Sequence, residues 1–286
     1  MSSPKGNVHM RIQARRIPDA TWICCCLSLC LATALGCTRN DAGEALEAEP
    51  PATGANVIVE VPPSGDLSDV DTTATRDVVA RLARRSTREA AIRDVTATPA
   101  EYAPPALYAA ASAMFSDGRK NESLFWFYLG QLRARSDANK CRDISARQAV
   151  QVLNLQYGAP INEFAFKDTD KLRKVVDEVL EWDRTHPRSY DPRWIALHGM
   201  DAFLGTSDAF SDESKWKQID ESTRADYREG FEQGLVHFLR LKAELDTNRD
   251  GVITDEERKA YEEKELARVR EEIEQTTKKL EIETPR

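Results

Sequence analysis

Residues 106–135 read ALYAAASAMFSDGRKNESLFWFYLGQLRAR, and this stretch predicts the fold of the chain. Small and apolar residues recur at helical spacing in its first half, and the turn signal SDG follows at 116–118. A second apolar run with consecutive aromatic residues begins at about Glu122. We therefore expect two antiparallel helices over 106–143, with the aromatic side chains filling the core between them.

The hairpin is similar to one unit of a tetratricopeptide or Sel1-like repeat over residues 106–137, with small residues in the first helix and aromatic residues in the second. The resemblance implies a body of stacked antiparallel helices. The pattern does not recur elsewhere in the chain at that period. Any antiparallel helix pair with small residues at its crossing would give the same pattern, so both interpretations remain open.

Helical patterns continue on both sides of the hairpin. The predicted helices span about 75–94, 144–157, 172–182, 192–205 and 223–245. Gly158 is expected to end the second of these, Asp191 to cap the fourth, and Thr223 to start the last one with a capping-box pattern. Almost nothing alternates with period two, so the fold class is predicted to be all-α, with a helical body over 71–220.

The sequence DTNRDGVITDEE, residues 246–257, follows the last of these helices. Oxygen-bearing side chains alternate along it, a glycine stands at its sixth position and a glutamate at its twelfth. The pattern resembles the calcium loop of the EF-hand family. A merely acidic loop between two helices would not need both the glycine and the glutamate at these positions.

The resemblance implies a specific set of calcium ligands. They are Asp246, Asn248, Asp250, the backbone carbonyl of Val252, Thr254 directly or through water, and Glu257 with both carboxylate oxygens. Oxygen ligands disfavour zinc and copper, and a bidentate glutamate suits Ca²⁺ better than Mg²⁺. We expect weak binding, with a dissociation constant of roughly 10⁻⁴–10⁻³ M.

The EF-hand region is predicted to span 221–286 and to end in one long charged helix over 258–283. The chain carries no second calcium loop, so the site could be structural, regulatory, or paired between two molecules. Apolar residues recur along the last helix at spacings of three and four, namely Leu266, Val269, Ile273, Thr276 and Leu280. This seam could cover the protein's own body, which we favour, or form a homodimeric coiled coil.

The N-terminus has the pattern of an export signal. Basic residues precede a 16-residue apolar run over 21–36, which is short for a membrane span, so residues 1–36 are predicted to be a signal peptide. Met10 is an alternative start. The run ends in ALGC, which resembles a bacterial lipobox and implies lipid attachment at Cys37. Residues 37–70, rich in proline, glycine and acidic residues, would be a flexible tether.

We therefore expect an envelope lipoprotein that faces the periplasm or the exterior; cleavage without lipidation would instead leave a soluble exported protein. The net charge is −8, and removing residues 1–36 takes away four basic residues and one acidic residue, which makes it −11. Such a charge argues against nucleic-acid binding. After export only Cys141 would remain besides Cys37, and we expect it to be a small buried residue.

No phosphate-binding glycine loop, nucleophile elbow or zinc motif occurs in the sequence. His186, His198 and His237 have no recognisable catalytic partner, and we expect them to be caps or packed residues. We expect a calcium-binding protein without enzymatic activity. The alternatives are a helical adaptor or immunity-type inhibitor that binds another envelope protein, and a hydrolase with unrecognised catalytic residues.

Overall fold

The computed structural model describes residues 65–204 and 208–283, apart from the side chains of residues 66, 203 and 279–283. Within these ranges the protein is all-α, with no β-strand, and this confirms the predicted fold class. The α-helices are α1 (Thr73–Ala83), α2 (Arg85–Ala97), α3 (Pro104–Ser116), α4 (Lys120–Lys140), α5 (Gln148–Ala165), α6 (Thr169–Thr185), α7 (Asp201–Leu204), α8 (Trp216–Leu245) and α9 (Asp255–Glu283). Short 3₁₀ helices span Gly65–Leu67, Ile144–Arg147, Pro192–His198 and Glu213–Lys215. No helix in the described ranges is both long enough and apolar enough to cross a membrane.

The structure contains the predicted hairpin as α3 and α4, and it forms the centre of the helical body. α4 contacts α3, α5, α6 and α8, and side chains on all its faces are buried. The two helices of the hairpin are in close contact at Gly130, where an added Cβ would lie 3.1 Å from Tyr108 Cδ2 and 3.2 Å from Leu107 Cβ. A glycine at this position lets the backbones pack together.

A chain of buried hydrogen bonds joins four helices through α4. Gln131 Nε2 donates to Asn154 Oδ1 (2.9 Å), which also accepts from the Tyr108 hydroxyl (2.8 Å), and the Tyr227 hydroxyl donates to Gln131 Oε1 (2.7 Å). The chain thus connects α3, α4, α5 and α8. Because unpaired buried polar groups are costly, these bonds specify how the helices are placed relative to one another.

The prediction of one helix over 75–94 is wrong, because the structure has two helices there, α1 and α2. The single helix expected over 75–94 is broken at Arg84, where the backbone is extended. The Thr87 hydroxyl and Arg88 Nε donate to the carbonyls of Arg81 and Leu82 (2.7 and 3.1 Å), and Arg84 N also donates to the Arg81 carbonyl (3.2 Å). Local hydrogen bonds thus replace the regular helical ones at the break.

Helix α5 continues past the residues expected to end it. It runs through Gly158 and Pro160 to Ala165, and it begins only after a 3₁₀ turn at 144–147. Ile161 and Ala165 beyond the proline are buried, and Asn162 Oδ1 accepts from the Tyr128 hydroxyl (2.9 Å). These tertiary contacts offset the roughly 3 kcal/mol that an internal proline costs.

Two boundaries in the second half also differ from the prediction. Helix α8 starts at Trp216, and Thr223 lies inside it, where its buried hydroxyl accepts from Asn139 Nδ2 (2.9 Å). The segment after Asp191 is a 3₁₀ helix to His198 followed by the short α7, although Asp191 caps it as expected by accepting from Arg193 N (2.8 Å). The predicted end of that segment at residue 205 lies outside the described residues.

Residues 65–70, the end of the predicted tether, already pack on the body, because Leu67 is buried in the main apolar cluster. Cys141 is buried as expected, and burial raises the pKa of its thiol to about 11. The signal peptide, Cys37 and the rest of the tether lie outside the described residues.

The close helix crossing generates a test of the hairpin. Gly130→Val should lower the free energy of unfolding by about 2 kcal/mol, because the added side chain overpacks the contact with Tyr108. Ala80→Val, at an exposed position of α1, is the matched control and should change it by less than about 1 kcal/mol. Urea unfolding of both variants measures the difference, and equal effects would contradict the close crossing.

Candidate metal centre

The predicted calcium loop connects α8 to α9. Leu245 ends α8 and is buried outside the main apolar cluster. The loop turns at Gly251, whose φ of +85° glycine adopts without steric cost. Open space surrounds the place where a Cβ would stand, so it is the backbone conformation that favours glycine here. Arg249 has a φ of +60°, an uncommon conformation for a non-glycine residue.

Side chains at the predicted ligand positions hold the loop by short-range hydrogen bonds. Asp246 Oδ2 accepts from Gly251 N (2.9 Å), Asn248 Oδ1 from Asp250 N (2.9 Å), and Asp250 Oδ1 from Val252 N (2.7 Å). The Asn248 amide also donates to Asp250 Oδ2 (3.0 Å). The alternating oxygens thus lie on one tight turn of the backbone.

Glu257 closes the loop and also caps the following helix. Its Oε2 accepts from Thr254 N (3.0 Å) while Thr254 Oγ1 accepts from Glu257 N (3.2 Å), which is a capping box at the start of α9. Its Oε1 accepts from the backbone N–H and hydroxyl of Thr247 (2.9 and 2.7 Å). The hydrogen bond from the Thr254 backbone, with help from Thr247, lowers the pKa of Glu257 to about 2.

Glu257 and Thr254 were predicted only as ligands, so the capping box and the role of Thr247 are additional features of the structure. The T-x-x-E pattern at 254–257 is the signal that could have indicated the box. Val252 is exposed, so what it offers to a cation is its backbone carbonyl.

The carboxylates are not gathered around one point in this conformation. Within residues 65–204 and 208–283, no three His, Cys, Asp or Glu side chains lie close enough together to hold a metal ion. Both oxygens of Glu257 face the loop's own N–H and hydroxyl donors. Bidentate ligation of a cation would therefore require Glu257 to exchange these hydrogen bonds.

One observation fits a cation at this loop. Asp246 Oδ1 is buried and has no hydrogen-bond partner among the described residues. An unpartnered carboxylate oxygen at the first ligand position is a free acceptor with negative charge. With the amide and carboxylate oxygens of Asn248 and Asp250 beside it, the donor set is the all-oxygen type that Ca²⁺ prefers.

The helices on the two sides of the loop differ in how they contact the body. Phe238 on α8 packs on Phe166 with ring centroids 4.7 Å apart. Arg258, at a position that is usually apolar, is mostly buried and pairs with Asp255 Oδ1 (2.8 Å). From Leu266 to Lys278 every residue of α9 is exposed. The expectation that α9 lies on its own body is therefore wrong, because its charged residues leave only a narrow apolar seam.

The three histidines considered in the sequence lie outside the calcium loop. His186 stacks on Trp182 (centroids 3.9 Å apart), His198 packs on Trp194, and His237 is exposed on α8. Burial lowers the pKa of His198. These positions separate the three histidines from the calcium loop.

Comparison with known proteins adds no relative. No protein-family model, curated protein or solved structure matches the chain. The resemblance to an EF-hand therefore depends on residues 246–257 and their flanking helices.

The Glu257 hydrogen bonds predict the ionisation of the metal-free loop. At pH 4.5, the ordinary glutamate pKa, Glu257 should be almost fully ionised because its pKa is lowered to about 2. Its contribution to loop stability is then fully present above pH 4.5 and is lost as the pH falls towards 2. The ¹³C shift of the Glu257 carboxyl, followed from pH 6 downwards in chelator-treated protein, measures this; half protonation at pH 4.5 would contradict it.

Proposed function

We propose that the protein binds one calcium ion at loop 246–257. The observation that carries the proposal is the buried, unpartnered Asp246 Oδ1 in a loop whose other oxygens stand at alternating positions around a left-handed Gly251. Asp246, Asn248, Asp250, the Val252 carbonyl, Thr254 and Glu257 would hold the ion. Bound calcium would neutralise the repulsion between the three carboxylates.

The role that fits this site best is stabilisation of the junction between α8 and α9. Glu257 belongs to both the proposed ligand set and the capping box of α9. Calcium ligation would therefore affect the stability of the first turn of that helix. An ion that binds only the folded loop adds about 1.4 kcal/mol to its stability at ten times the dissociation constant. No enzymatic step is part of this proposal.

Calorimetric titration of Ca²⁺ into the chelator-treated protein tests the site. We expect one saturable site, and Glu257→Gln should weaken it at least about tenfold because a neutral amide replaces the bidentate carboxylate. Glu256→Gln is the matched control, since it makes the same change at the neighbouring, non-ligand position.

Hydrogen exchange provides the second readout of this test. Calcium should slow amide exchange over 246–260 in the parent protein and in Glu256→Gln, but not in Glu257→Gln. Saturable binding that survives Glu257→Gln unchanged, or no binding in the parent protein, would refute the proposed site.

A second candidate function, association of two copies of the chain through a coiled coil, is favoured by α9. Leu266, Val269 and Ile273 are 57%, 44% and 61% exposed and lie at heptad spacing on a helix that contacts the body only near its start. In a parallel pair of such helices Glu265 of one copy would face Arg270 of the other. Sedimentation equilibrium of the protein and of Ile273→Lys tests this, because a charge in the seam should dissociate such a dimer.

We also propose that the chain is an exported lipoprotein attached to the envelope through Cys37, with calcium bound outside the cytoplasm. The support is the apolar run and ALGC pattern in the sequence. Incorporation of labelled fatty acid into the protein, and its loss in Cys37→Ser, is the direct measurement.

A further inference from the structure

The structure contains a cleft of about 790 Å³. One side is formed by the end of α6 and the segment that follows it, and the other by the first half of α8. Its volume falls in the range of small-molecule binding sites, roughly 300–1,000 Å³. Its wall contains basic, aromatic and acidic side chains, among them Lys140, Arg188, Arg224, Tyr190, Trp216, Asp183, Asp220 and Glu221. The calcium loop is not part of this wall.

The floor of the cleft is a buried ion cluster centred on Asp183. Arg133 and Asp183 are both fully buried, and Arg133 Nε donates to Asp183 Oδ1 (2.9 Å). Asp183 Oδ2 accepts from Arg188 Nη2 (2.8 Å) and Arg224 Nη1 (3.0 Å). Burial alone would raise the pKa of Asp183, but Arg188 and Arg133 outweigh it and hold the pKa below its usual value.

Two further carboxylates, Asp137 and Asp220, lie near the cations of Lys140 and Arg188. Asp220 Oδ1 lies 2.8 Å from Lys140 Nζ and 3.1 Å from Arg188 Nη1. Asp137 Oδ1 lies 3.6 Å from each of the same two cations and has no hydrogen-bond partner among the described residues, while its Oδ2 accepts from the Tyr190 hydroxyl (3.0 Å). Burial raises the pKa of Asp137, despite Lys140 and Arg188.

The cluster therefore holds four cations against three carboxylates. At the rim, Lys217 and Glu221 offset each other, and Arg184 is paired with Glu181 (2.6 Å). One positive charge is left over at the cleft, although the whole chain carries a net charge of −8. A buried excess charge is costly unless a counter-charge meets it, so the cleft favours a monoanion. A dianion would meet stronger repulsion from the carboxylates in and beneath the wall.

Arg224 supplies the group that could engage such an anion. It makes a single hydrogen bond within the described part of the chain, from Nη1 to Asp183, so Nε and Nη2 have no protein acceptor there. The Arg224 side chain is only 17% exposed, and its guanidinium is held by Asp183 at the cleft wall. A guanidinium with free donors binds a carboxylate through charge-assisted hydrogen bonds.

We propose that this cleft binds a small organic monocarboxylate with an apolar or aromatic body. The carboxylate would be bound by Arg224, with Lys140 and Arg188 providing positive charge behind it. The apolar part would lie against Trp216 and Tyr190. This site is independent of the calcium loop.

Titration calorimetry with three probes that share a phenyl ring and differ in their polar group tests the ligand class. Phenylacetate should bind saturably, neutral phenylacetamide should bind at least about tenfold more weakly, and phenyl phosphate should also bind more weakly because of its second charge. Amide binding equal to that of the carboxylate, tighter binding of the phosphate, or no saturable binding of phenylacetate would each overturn the proposal.

Variants test the position of the site. Arg224→Gln should weaken phenylacetate binding at least about tenfold. Arg228→Gln is the matched control, since Arg228 lies one turn further on the same helix, pairs with Asp177 (2.5 Å) and is not in the cleft wall. Equal affinities for the two variants would overturn the assignment.

Arg224 also holds Asp183, so a variant that spares the buried cluster is needed as well. Glu221→Gln removes a rim carboxylate and should tighten phenylacetate binding by about threefold, because a repulsive charge is gone. If the ion cluster were only structural, removal of the Glu221 charge would not tighten phenylacetate binding. Unchanged or weaker binding in Glu221→Gln, with circular dichroism matching the parent protein, would contradict the proposed position of the ligand.

Discussion

Three arginines from three parts of the chain converge on the buried carboxylate of Asp183. Arg133 comes from α4, Arg188 from the segment after α6, and Arg224 from α8. Removing one partner of a buried ion pair costs about 3–5 kcal/mol, because the remaining charge is left without compensation. The position of α8 against α4 and α6 therefore depends on Asp183. The cleft above the cluster exists because these groups hold its walls in place.

Helix α4 can serve as the central helix because of its unusual composition. It has apolar, aromatic and polar residues on all faces, and two of its buried polar residues bond to buried partners on other helices: Gln131 to Asn154 and Tyr227, and Arg133 to Asp183. Apolar contacts alone would permit the surrounding helices to slide or rotate. The directional hydrogen bonds reduce that freedom, which gives α4 one set of neighbours.

The calcium loop differs from the body because it is held by hydrogen bonds between residues close together in the sequence. Its hydrogen bonds join residues only two to ten positions apart, and its ligand positions are exposed or half-buried. Such a segment can rearrange without disturbing the buried ion cluster, since local stability varies across a protein. Glu257 is the residue where this matters most, because the same carboxylate oxygens cap α9 and belong to the proposed ligand set. Exchange between these two roles would connect the loop to the exposed helix α9.

Features that depend on neighbouring residues could be predicted from the sequence. The α3–α4 hairpin, α6 and the turn of the loop at Gly251 follow from helical periodicity, a turn signal and alternating oxygen side chains. Other features depend on contacts between distant parts of the chain, which become visible only in the folded protein. Such contacts continue α5 through Pro160, since Ile161 and Ala165 are buried beyond it, and place Thr223 inside α8, where Asn139 bonds to it. Asp183 meets Arg133 and Arg224, which lie 50 and 41 positions away in the sequence, and no local pattern records which distant charges will meet.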